Sequence, residues 1–204
     1  MLITEQYEMK NSEATYKTTS SLIEIARKYF AEYGYFVFPL DKIAEEANVT
    51  RGAIYHHFKN KQGLFIAVLD SVQKDIAAQI EKAALKSDDP WQQLIFGCVG
   101  FVNCANAKPN RRILLVDAPS VLGWDTWRKI DRENSMRTLQ EQISDLNAWG
   151  YLCDDVDTSL MTCAVSGALN ELALNYSQDD AVSTDRKIFD TISQLVSGFR
   201  RKKC

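Results

Sequence analysis

Thr50-Arg51-Gly52-Ala53-Ile54-Tyr55-His56-His57-Phe58 is the stretch on which the reading of this chain turns. Thr50 is placed to cap a helix, because its hydroxyl can accept a free backbone N–H of the first turn. Ile54 and Phe58 follow at i, i+4 spacing, which puts both on one face. Asn48-Val49 before the stretch and Lys59-Asn60-Lys61 after it interrupt the helical pattern. Just upstream, Leu40, Ile43, Ala44 and Ala47 form a second short apolar pattern that begins beside Pro39, a residue suited to a helix start. Farther back, Leu22, Ile25, Ala26, Tyr29, Phe30 and Tyr33 make a longer stripe ending at Gly34, a good terminator.

Two short helices joined by a turn of three or four residues are the ingredients of a helix-turn-helix. The second helix of such a unit must be apolar inside, and its outer N-terminal positions must be able to approach base edges. Arg51 can fork onto guanine O6 and N7, and Ala53 is small enough to meet a thymine methyl. Gly52 removes a side chain where the groove wall would crowd. Tyr55 and His56 fall toward the outside and can donate to phosphates. Lys61 opens the next helix, whose free N–H groups also favour an anion. The formal net charge is −3, which argues against a protein that coats nucleic acid. From Ala47 through Leu69, however, there is no acid. That window holds Arg51, Lys59, Lys61 and both histidines, a local basic surface in an acidic chain. The acids gather elsewhere, at Asp88–Asp89, Asp154–Asp157 and Asp179–Asp180.

The remaining chain is also helical by period, with no alternating strand pattern, so the expected class is all-α. Leu64, Phe65, Val68, Leu69, Val72, Ile76 and Ile80 mark a long helix over 61–84, and Ser87-Asp88-Asp89-Pro90 reads as a boundary. Residues 91–105 are apolar nearly all round and should lie deep. Pro109 opens a short element through Val116, which Pro119–Gly123 is expected to break. Trp124–Trp149 reads as one long helix. Two helices close the chain, and Ala164, Gly167 and Ala168 on the first permit close approach. Their stripes, over Asp157–Tyr176 and Ser183–Arg200, suit a four-helix bundle made by two copies of the chain. Aromatic and methionine side chains of the middle helices, among them Phe96, Phe101, Trp124, Trp127 and Met136, are the material of a small-molecule pocket. The same helical spacing fits a packed core, so both roles stay open.

Phe30-Ala31-Glu32-Tyr33-Gly34-Tyr35, Ile43 through Gly52, Ile54 through Lys61 and Leu64-Phe65 together resemble the DNA-binding domain of the TetR family. Arg111 through Pro119, with Gly123-Trp124 and Trp127-Arg128, resembles the sensor region of some of its members. The resemblance implies a helix-turn-helix domain over residues 13–60 and an effector-binding and dimerisation domain over 61–204, linked by the helix over 61–84. It implies a ligand-responsive repressor that binds a palindromic operator on double-stranded DNA as a homodimer and is released by a small-molecule effector. Arg51, Gly52 and Ala53 would then face bases, and Tyr55, His57 and Lys61 phosphates, with the helix cap Thr50 also among the DNA-binding residues. His56 stays open between those two tasks. The family often carries Thr or Ser just before the second helix, where this chain has Phe38-Pro39, so a hydroxyl contact there is not expected.

No apolar run approaches the roughly 18–20 residues of a membrane span. Met1–Ser12 has no export-signal pattern, and a cytoplasmic location is expected. The five cysteines, Cys98, Cys104, Cys153, Cys163 and Cys204, form no C-x-x-C pair and read as reduced. A metal at His56-His57 is not expected, because adjacent helical residues diverge and no acid or thiol lies nearby. No cofactor is expected either. An enzyme is disfavoured, since both histidines lie on the helix read as DNA-facing and no nucleophile motif appears. The alternative is a thiol-based redox-sensing regulator using Cys98 with Cys104, or Cys153 with Cys163.

Overall fold

The computed structural model describes residues 2–175 and 181–202, with side chains over 15–175 and 185–202. Tyr176, Asp179, Asp180 and Cys204, and the side chains of Met1–Ser12 and Ser183, lie outside the described residues. Among the described residues the chain is helical, with one isolated antiparallel bridge between Leu152 and Arg200. The all-α expectation holds. Two compact units divide between Val72 and Gln73.

The first unit contains α1 (Leu2–Tyr33), α2 (Leu40–Glu46), α3 (Arg51–Phe58) and the start of α4 (Lys61–Ala84). Its core is the predicted stripe: Leu22, Ala26 and Phe30 of α1 are fully buried with Ile43, Ile54, Leu64 and Phe65. Phe30 and Tyr35 meet the Phe65 ring edge-on at 5.4 and 5.1 Å, the geometry that aromatic quadrupoles favour. α1 ends where Gly34, at φ 86°, donates its N–H to Phe30 O at 3.0 Å. A side chain would resist that left-handed turn.

The second unit holds the rest of α4, then α5 (Pro90–Asn106), α6 (Lys108–Arg111), a π-helical segment (Arg112–Asp117), α7 (Ala118–Leu122), α8 (Trp124–Glu133), α9 (Ser135–Ala148), α10 (Thr158–Asn175) and α11 (Ala181–Ser197). α5 is the central element, packed against α9, α10 and α11. The Asn106 side-chain amide donates to Ala173 O at 2.7 Å in a buried contact, tying α5 to α10. At the chain end, Cys153 N–H donates to Phe199 O and Arg201 N–H to Tyr151 O, closing the loop after α9.

Two expectations about this unit are corrected. Pro119 does not break the chain's helical path. It sits in the first turn of α7, where a missing N–H costs nothing, and the turn before it is widened, with Ala118 N–H donating to Ile113 O. The break comes at Gly123, φ 77°. The single helix expected over Trp124–Trp149 is two, parted at Asn134 with φ −115° and ψ −96°. The Asn134 side chain donates to Ile130 O at 2.9 Å and to Gln73 Oε1 at 3.3 Å. A side-chain amide that serves a backbone carbonyl competes with the helical ladder at this point.

Candidate nucleic-acid interface

α3 is built as its sequence dictates. Thr50 is extended, and its Oγ1 accepts the Ala53 N–H at 3.2 Å. Ile54 and Phe58 are buried beneath the helix. Arg51, Gly52, Tyr55 and His56 are exposed, while Ala53, His57 and Lys61 are half-buried. The structure therefore brings Thr50, Arg51, Gly52 and Ala53 together at one helix N-terminus, where backbone N–H groups add positive potential.

The guanidinium of Arg51 is already held. It lies 3.2 Å from Asp41 Oδ1, donates to the Tyr55 hydroxyl at 3.1 Å, and its centre sits 5.5 Å from the Tyr55 ring. The Tyr55 hydrogen bond, and then the Asp41 charge, raise its pKa further. Asp41 comes from α2 and lies outside the acid-free window, so linear spacing gave no sign of this contact. Gly52 has open space: a Cβ there would meet only Thr50 Oγ1, at 3.6 Å.

The turn between α3 and α4 is tight. Lys59 has φ 66° and ψ −46°, and Asn60 N–H donates across it to Phe58 O at 2.8 Å. This is a γ-turn of the strained, positive-φ kind. Asn60 Oδ1 then accepts the Gly63 N–H at 2.8 Å and caps α4. A Cβ at Gly63 would stand 2.0 Å from Phe58 O, so this corner requires glycine. Lys61 follows, its ammonium 4.7 Å from the Tyr35 ring centre, with burial lowering its pKa. The His56 and His57 rings meet edge-on at 5.2 Å. No cluster of three or more metal-ligating side chains occurs among the described residues.

The Phe38-Pro39 departure has a structural account. Pro39 precedes α2 without a side-chain cap. Phe38 stacks on Tyr29 at 4.0 Å and on Tyr33 at 5.4 Å. The Tyr29 hydroxyl donates to Glu46 at the far end of α2, and that bond pushes the phenol up to about 12. Stacking and this bond brace α2 where a hydroxyl cap is missing.

The second unit contains a pocket of about 590 Å³, within the usual range for small-molecule sites. Phe101 and Met136 line it, together with Cys98 and Leu169. The other three aromatics lie away from it. Phe96 packs against Phe189 at 5.5 Å. Trp127 is buried and donates its indole N–H to Leu114 O at 3.1 Å. Trp124 is exposed beside it, with Arg128 near both rings. Sequence reasoning missed the polar members Gln73, Asp131 and Asn134, which carry no periodic signature. Cys98 is buried, and burial pushes its thiol up to about 12. Cys104 is raised for the same reason.

Comparison with known proteins gives a consistent answer. Residues 22–68 match the family described as bacterial regulatory proteins, tetR family, and residues 91–199 match the tetracyclin repressor-like C-terminal domain. The "Probable acrEF/envCD operon repressor" of Escherichia coli K12 is 27% identical over 181 residues, covering 78% of this chain and 76% of its own. The regulator TtgR of Pseudomonas putida is 43% identical over 65 residues, 32% of this chain and 31% of its own. A TetR-family regulator from Pectobacterium atrosepticum superposes with a TM-score of 0.74 at 26% identity, covering 94% and 98% of the two chains. The fatty acid degradation regulator FadR from Bacillus halodurans shares the fold, with a TM-score of 0.72 at 20% identity over 87% and 93%.

Proposed function

The chain belongs to the TetR family of bacterial transcriptional regulators, and on that premise we propose that it represses transcription by holding a palindromic operator as a homodimer until a small molecule fills the second unit. Arg51, Gly52 and Ala53 read bases in the major groove. Tyr55, His57 and Lys61 hold phosphates, His56 stands between the two groups, and Thr50 caps the helix at the DNA-facing end. The observation that carries the DNA reading is the exposed N-terminus of α3, with Arg51 and Gly52 outward, Ile54 and Phe58 inward and no acid within the helix. The pocket of about 590 Å³ supports the effector role. Effector binding then shifts the population toward a dimer whose reading heads no longer match the operator, with α4 as the continuous element between anchor and pocket wall. The dimer is supported by the open face of α10 and α11: Leu160 and Leu195 are exposed, and a Cβ at Gly167 would meet no atom.

Footprinting on the DNA upstream of the protein's own gene tests the reading. A protected palindrome is expected. Arg51→Ala should cost roughly 1–3 kcal/mol and relax preference at one position of each half-site. Lys61→Ala should weaken binding to all sequences and flatten its salt dependence. Equal affinity for palindromic and scrambled DNA at moderate salt would overturn the proposal.

A further inference from the structure

The pocket of the second unit has a graded wall. Its mouth carries the exposed Lys74, Glu81 and Arg137, and its floor the buried Cys98, Phe101, Met136 and Leu169. One unmatched polar group lies among these buried walls. Gln73 is only 4% exposed, and its Nε2 has no hydrogen-bond partner among the described residues. The amide orientation follows from its neighbour: Asn134 can only donate from Nδ2, so Gln73 must turn Oε1 toward it and keep the N–H groups for something else. A buried donor left unpaired is unfavourable by the desolvation of that group, and native proteins rarely leave one without a use.

The charge on the same wall is already balanced. Asp131 is 4% exposed and accepts from Arg128 at 2.9 Å. A carboxylate in the pocket would face Asp131, and an ammonium would be added beside Arg128. At that depth either would be an uncompensated charge out of water, and only at the mouth, near Lys74, Glu81 and Arg137, would a charged group meet an opposite one.

We propose that this pocket takes an uncharged, largely hydrocarbon molecule bearing one carbonyl-type oxygen, which accepts a hydrogen bond from Gln73 Nε2 while its apolar body rests on Phe101, Met136 and Leu169. The assignment rests on the ligand-responsive reading above and names the chemistry of its ligand. The ligand oxygen completes a chain through Gln73 and Asn134 to Ile130 O, so occupancy bears on α4 and on the break between α8 and α9 together.

Three probes of similar shape test it on the full-length protein without DNA: benzophenone, diphenylmethane, which lacks the carbonyl, and 4-benzoylbenzoate, which adds a carboxylate. Benzophenone is expected to bind about tenfold more tightly than diphenylmethane, although the hydrocarbon is the more hydrophobic of the two. It should also bind more tightly than the carboxylate. On irradiation it should label Met136 or its pocket neighbours. Gln73→Met, which keeps the side chain's length, should abolish the preference for the ketone, and Gln73→Leu should do the same. Diphenylmethane binding as well as benzophenone in the wild type, labelling outside the pocket, or a ketone preference surviving both variants would each overturn the proposal. Footprinting separates this result from the reading it rests on. Ketone selectivity without operator release supports the pocket chemistry and counts against effector release. Operator protection without ketone selectivity counts against the pocket chemistry alone.

Discussion

At Gly52 a Cβ would meet only the Thr50 hydroxyl, at 3.6 Å, and a helix interior prefers alanine to glycine by roughly 0.5–1 kcal/mol. Gly52→Ala is therefore expected to raise thermal stability while weakening operator binding, because the added methyl projects from the exposed face of α3. Loss of stability in a melting curve would show that the fold itself needs this glycine. Cys98 makes a second prediction at this scale. Its thiol is pushed up to about 12 by burial, whereas in an unfolded chain it ionises near ~8.5. Its contribution to stability is thus whole below the unfolded value and is lost as pH rises from there toward 12. At pH 8 iodoacetamide should spare Cys98 in the native protein and modify it once urea has unfolded the chain. Rapid modification of Cys98, read by mass spectrometry, would contradict the burial argument and revive a thiol sensor.

Among the elements of the second unit, α5 approaches α4 closely at Gly100. A Cβ at Gly100 would lie 2.7 Å from Ala83 Cβ and 3.5 Å from Ile80 Cα, and neither atom belongs to a flexible tail. Gly100→Ala should cost roughly 1–3 kcal/mol in urea unfolding, and an unchanged midpoint would show that the two helices can separate freely. Nothing in a linear pattern marks Gly100, since a glycine within an apolar run looks the same whether it faces a backbone or open space. The apolar frame was readable for the opposite reason: Leu22, Ala26, Phe30, Ile54 and Phe58 recur at helical spacing, and one-sided burial imposes that spacing. Pro119 misled because proline is a breaker only beyond the first turn, and the start of α7 depends on a widened turn that leaves no trace in residue type. Asn134 gives no linear sign either, because asparagine can stand within a helix without bonding back to the carbonyl four residues before it. In the reading helix, exposure followed from the helical wheel alone. The Asp41 partner of Arg51 and the Tyr35 platform under Lys61 are tertiary pairings between elements, and periodicity within one element does not encode them.

For the whole molecule, the exposed face of α10 makes a test of assembly. Gly167 has room for a side chain within one protomer, so Gly167→Leu should leave the circular dichroism spectrum unchanged and convert a dimer to monomers in sedimentation. Operator affinity should fall with it, because a single half-site gives too little binding energy. A variant that stays dimeric would move the interface elsewhere. Helix α4 carries a mechanical consequence at the same scale. Its 24 residues run unbroken, a rod about 36 Å long. The turns from Gln73 to Ala84 supply one side of the pocket, so a molecule that enters presses on a stiff beam and not on a loop, and the load spreads along roughly three helical turns.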